Sequence, residues 1–168
     1  MAISTIGSKG LDQSPQILTR LQLPAGSVLQ VVEVETSTQV LVSATATPTT
    51  IGLSATITPT SATSKILILF NAWVSPQGSS GSGYIVYRNS TQIWNYQLTS
   101  AGSGGFNTYI TSAPAYLFQN IHTLDSPATT SATTYELKVT VYNGSVYYHA
   151  LNTYGSSRSS VILMEIAA

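Results

Sequence analysis

Between positions 50 and 59 apolar and small polar residues alternate without a break. Ile51, Leu53, Ala55 and Ile57 fall on one side, and Gly52, Ser54, Thr56 and Thr58 on the other. A repeat of two marks a strand with one buried face. The pattern returns at 134–142, where Tyr135, Leu137, Val139 and Val141 oppose Thr134, Glu136, Lys138 and Thr140. Residues 28–35 set Val28, Gln30, Val32 and Val34 against Leu29, Val31, Glu33 and Glu35, and 39–43 extends them after a kink. Residues 65–74 differ: both faces are apolar, which predicts a central strand packed on two sides.

Turn residues punctuate these runs. The cluster 59–64 predicts a turn, and the Gly/Ser-rich stretches 77–83 and 99–105 predict loops. Residues 84–87 and 92–97 predict a hairpin across Arg88-Asn89-Ser90-Thr91, and Asn143-Gly144 predicts a tight hairpin, because both central positions of that turn favour positive φ. Strands are further expected at 115–123, 145–151 and 160–166. Eight or nine strands at regular spacing, without a convincing helical period, define an all-β sandwich or barrel, and long crossing loops favour a jelly roll. Residues 1–26 lack this alternation. They predict an extended N-terminal arm before a β domain at 27–168, with Ile3, Ile6, Leu11, Ile17, Leu18, Leu21 and Leu23 as its anchoring side chains.

Composition sharpens the picture. Charged residues make up 7% of the 168 residues, and 24 Ser and 23 Thr supply the wet faces instead. The formal net charge is zero, and the six basic residues are scattered, which argues against a nucleic-acid partner. A surface of this kind does little to oppose self-association. With no cysteine there is neither a disulfide frame nor thiolate chemistry. No apolar run approaches the ~20 residues of a membrane span, and the N-terminus lacks a secretory apolar segment. Ten Tyr and two Trp exceed what one inner layer holds. Tyr84, Tyr87, Trp94, Tyr96 and Tyr147 are therefore expected at a subunit interface or against glycan, where a flat apolar ring with a polar tip finds partners.

Catalytic candidates are few. His122 and Asp125, three residues apart, have the residue types of a nucleophile–base system but no G-x-S-x-G elbow. Glu33 and Glu35 share a strand face at about 7 Å, a spacing suited to sugar hydrolysis but equally to a solvated face. His149 reads as a hydrogen-bonded or interface residue. No spacing suits a metal, and the Gly/Ser loops lack the Lys and following helix of a phosphate cradle. No catalytic residue, metal or cofactor is expected.

Three segments carry a family resemblance: "LPAGSVLQVVEV" (23–34), "IGLSATITPTSATSKILI" (51–68) and "SSVILMEIAA" (159–168). Together they resemble small bacteriophage virion proteins, well represented among phages of cyanobacteria. The resemblance implies a jelly roll similar to the tumour-necrosis-factor or C1q head, assembled as a homotrimer. It also implies a place on the virion, as a capsid decoration (cement) protein bound to the major capsid protein or other virion proteins. The alternative is a tail- or head-fibre tip that contacts host surface carbohydrate.

Overall fold

The computed structural model describes residues 23–96, 108–111, 115–149 and 157–168. Among these there are nine strands and no helix: β1 (Val28–Thr36), β2 (Val40–Ile57), β3 (Lys65–Gln77), β4 (Ser80–Arg88), β5 (Thr91–Tyr96), β6 (Thr108–Ile110), β7 (Leu117–Asp125), β8 (Thr133–Tyr148) and β9 (Ser159–Ile166). Every pairing is antiparallel. The fold is the all-β, jelly-roll-like sandwich that the alternation predicts.

β3 and β4 form its spine. Residues 65–71 take β9 along one edge, and residues 66–74 take β7 along the other. From Val74 to Gln77 the first edge passes to β8, which β4 then follows from Gly81 to Arg88. β5 and β6 occupy the far edge of β4, and β2 runs along the far edge of β8. The spine thus passes from a sheet ordered β1-β9-β3-β7 into one ordered β2-β8-β4-β5, and the two fold over a shared core. One sheet gives Ile66, Ile68, Phe70, Val161 and Leu163 to that core. The other gives Leu53, Ile57, Tyr84, Val86, Tyr135 and Leu137. Each such side chain removed from water contributes roughly 1.5–3 kcal/mol.

Two sequence expectations change at the crossing. Residues 80–83, expected within a loop, are the buried start of β4. Only small residues fit there: Ser82 Oγ lies 2.9 Å from Tyr148 Oη, and a larger side chain would displace that ring. Asn143 and Gly144 do have the positive φ expected of them, at 52° and 58°. However, the chain does not reverse. β8 continues through them, pairing with β2 before and after, so the two residues form a bulge. A Cβ on Gly144 would meet the Gln77 carbonyl oxygen at 2.9 Å, where the spine bends against β8. Gly144→Ala is expected to cost about 2 kcal/mol, from the positive φ and this contact together, measurable as a lower midpoint in thermal unfolding.

The run at 65–74 is also corrected. Ile66, Ile68, Phe70, Ala72 and Val74 point into the core, but Leu67 and Leu69 point outward and are only half-buried. From Ile66 to Asn71 the strand is packed on one side, not two, and both sides are buried only from Ala72 to Pro76. A bulge between Val28 and Gln30 likewise moves Val28 off the inward face: it is 50% exposed, while Gln30 reaches the buried Glu165.

Candidate interaction surface

The outward faces of the two sheets differ in kind. On the sheet containing β8, Thr56 and Thr134 share a hydrogen bond of 2.7 Å, and Glu136 pairs with Lys138 at 3.6 Å. The Lys138 ammonium sits 4.5 Å above the Tyr87 ring, so these polar groups of the face pair with one another, while the buried Thr140 hydroxyl has no partner.

The outer face of the sheet β1-β9-β3-β7 carries a contiguous apolar patch beside polar positions. The pairing registers place Val31, Met164, Leu67 and Leu124 in one row across its outer face. The next row is Glu33, Ile162, Leu69 and His122, and the one after it Glu35, Ser160, Asn71 and Asn120. Val31 is 56% exposed, Leu124 54% and Phe118, beyond the third row, 57%. A shallow groove of about 270 Å³ lies between Leu69, Asn71, Asn120, His122, Ser160 and Ile162. Large contiguous apolar patches are uncommon on monomers and mark contact sites. Sequence reasoning missed Val31, Leu67, Leu69, Leu124 and Ile162. Only Leu67 and Leu69 carry a local signal, the doubly apolar run at 65–70, and that run by itself predicts an interior strand.

The predicted contact aromatics scatter. Tyr84 is fully buried in the core, so it is a packing residue and not a contact surface. Trp94 is half-buried and packs against the core from β5. Tyr87 lies under Lys138, and Tyr147 is half-buried opposite Leu41 on the sheet that holds Lys138. The side chain of Tyr96 lies outside the described residues, as do the arm residues Ile3, Ile6, Leu11, Ile17, Leu18 and Leu21. Leu23 is described: it lines a groove with Leu29 and Ala167. Trp94→Ala is expected to lower stability by about 2 kcal/mol through lost packing, without altering binding to a glycan array. Loss of glycan binding at unchanged stability would return Trp94 to the surface chemistry.

The titratable groups do not converge. His122 and Asp125 point to opposite faces of β7. Asp125 instead accepts from Arg88 Nη1 at 2.9 and 3.1 Å and from Tyr135 Oη at 2.7 Å. Burial raises the Tyr135 phenol far above its ordinary value, and the bond to Asp125 adds to this. Glu33 and Glu35 both point outward, but Glu35 is held by Arg158 at 2.7 Å. His149 is buried at the end of β8 with φ 72°, its Nε2 2.6 Å from the Ile51 carbonyl; burial lowers its pKa, partly offset by that bond. Glu165 is buried beneath the turn at 59–64, between β2 and β3. It accepts from the Thr60 N–H at 2.8 Å, from Thr60 Oγ1 at 2.6 Å and from Gln30 Nε2. Burial alone would raise this carboxyl, yet the three donors outweigh burial and hold it at about 2, against an ordinary 4.5. Among the described residues no three His, Asp or Glu stand together as a metal site, and no helix is long and apolar enough to cross a membrane.

Fold and surface together define an antiparallel β-sandwich with one face of internally paired polar groups and one that carries an apolar patch. No family model matches the chain, and no curated protein does. Among solved structures it overlaps the infectious bursal disease virus Gx strain structure at a TM-score of 0.46 and 12% identity, covering 86% of this chain and 39% of that one. The VP2 subviral particle of the same virus overlaps at 0.47 and 12%, over 82% of this chain and 32% of that one. The chain therefore spans about a third of the length of these neighbours, and overlaps this loose carry no argument about its role.

Proposed function

We propose that the chain is a non-enzymatic structural protein of a virus particle, acting as a capsid decoration protein. The observation that carries this reading is the apolar outer face of β1-β9-β3-β7 on a chain with 7% charged residues. A surface built so needs neighbours, and repeated weak contacts become strong when made many at once. The resemblance of residues 23–34, 51–68 and 159–168 to small phage virion proteins supports the same reading. In it the arm at 1–26 grips the capsid, and the homotrimer implied by the resemblance is one way to close the assembly.

The test is abundance: the amount of this chain relative to the major coat protein in purified particles, by quantitative mass spectrometry. Hundreds of copies are expected. A handful would replace decoration with a fibre tip, and complete absence would end the virion reading. Deleting residues 2–22 is expected to abolish attachment to particles, and retained attachment would remove the arm from the mechanism.

A further inference from the structure

We propose that the outer face of β1-β9-β3-β7 is a two-fold contact surface whose occupant is a second copy of this chain, laid face to face. The inference goes beyond the virion reading and does not depend on it.

The face is self-complementary about one axis. Let a two-fold axis run along the strands, midway between β9 and β3. It places β1 of one copy over β7 of the other, and β9 over β3, with every row kept in register. Row by row, the partners then match. Val31 meets Leu124, and Met164 meets Leu67, apolar on apolar. In the next row Ile162 meets Leu69, and Glu33 at one end meets His122 at the other. An imidazole N–H donates to a carboxylate in either protonation state, so the two polar ends of that row satisfy each other twice in the pair. In the third row Ser160 meets Asn71 and Glu35 meets Asn120, polar on polar.

Geometry tolerates the twist of real sheets. Packed sheets cross at about 30°. With strands about 4.8 Å apart, the edge strands lie about 7 Å from the axis and shift by about 4 Å along it. That is less than the roughly 7 Å between successive outward residues of a strand, so the row partners remain in reach. Four strands by eight residue steps give a face of about 19 by 26 Å. Two such faces total roughly 1,000 Å², the area at which specific contacts begin. A threefold ring would instead join unlike surfaces, and nothing in the row order calls for that here.

The experiment is the mass of the full chain in solution by sedimentation equilibrium over a concentration series. An even number of protomers is expected, and a mass of one or three protomers overturns the proposal. Leu124→Lys, at an exposed site, is expected to weaken association at least tenfold with unchanged thermal unfolding at concentrations where the chain is monomeric. Leu41→Lys, 49% exposed on the opposite sheet, is expected to leave it intact, and equal weakening by both would show unspecific association. The register is tested by a charge swap. Glu33→Lys and His122→Glu are each expected to weaken association about tenfold, and the double variant to restore it to within threefold. Failure of that rescue rejects the two-fold register. If the full chain is monomeric and removal of residues 2–22 makes it dimeric, the chain's own arm is the occupant and the proposal falls.

Discussion

Glu165→Gln is expected to destabilise the protein by about 3 kcal/mol at neutral pH, and by almost nothing near pH 2. The carboxyl sits at about 2 in the folded chain, against an ordinary 4.5. At about 1.4 kcal/mol per pKa unit, that depression corresponds to about 3 kcal/mol of stability. The folded-state value is the lower one. The contribution is therefore complete above pH 4.5 and is lost as pH falls through the interval down to about 2. The physical source is three donors converging on one buried carboxylate: the Thr60 N–H, its hydroxyl and the Gln30 amide. A Gln side chain keeps the volume but has one acceptor oxygen, so with that oxygen on the two Thr60 donors its NH2 group faces the Gln30 amide donor. Urea unfolding at pH 7, 5, 4 and 2.5 checks both parts, with a drop in the thermal midpoint of roughly 10 °C at pH 7. A variant whose deficit stays constant down to pH 2.5 would show that the carboxylate charge does not contribute.

Asp125→Ala is expected to cost about 3 kcal/mol. Asp125 on β7 reaches across to Arg88 on β4 and Tyr135 on β8, so one carboxylate ties the two sheets at the end of the core. Its removal leaves a partly buried guanidinium and a buried phenol without their shared acceptor, and losing one member of such a set costs more than the set contributes. Arg88 is 27% exposed and keeps access to water, which holds the loss near the middle of the usual range. The companion variant Tyr135→Phe removes one donor and keeps the ring, and is expected to cost about 1 kcal/mol. Chemical denaturation of both variants separates the hydroxyl from the carboxylate. Equal losses would place the whole effect on the phenol.

The fold was legible where residues carry their meaning locally. The alternation at 50–59 and 134–142 identified both strands and the faces they bury, because one side of each packs on a core and the other meets water. Legibility failed where the partner decides. Asn143-Gly144 has the dihedral preference of a turn, and the structure uses that same preference for a bulge, since β2 continues to pair across it. Residues 80–83 look like a linker because they are small, and they are small because Tyr148 and β8 approach closely. The candidate surface was the least legible part. Val31, Leu67, Leu124 and Met164 come from four separate stretches of chain, and only the registers between strands put them in one row. Nothing in the neighbourhood of Val31 announces Leu124. The aromatic count pointed to surface contact, yet Tyr84 went to the core because its strand alternation places it beside Val86, pointing inward.

The position of β9 has a consequence for timing. It lies between β1 and β3, and more than a hundred residues separate its partner residues on β1 from its own. Pairings of such long range close late and slowly. Until β9 inserts, β1 has no neighbour on that edge and the middle of the apolar face does not exist. Ile162 and Met164 arrive only with β9. A nascent or half-folded chain therefore has no complete face with which to capture another copy. In the proposed pairing, specific association therefore waits for β9 to pair, and until then the open edges of β1 and β3 are available to unspecific contact.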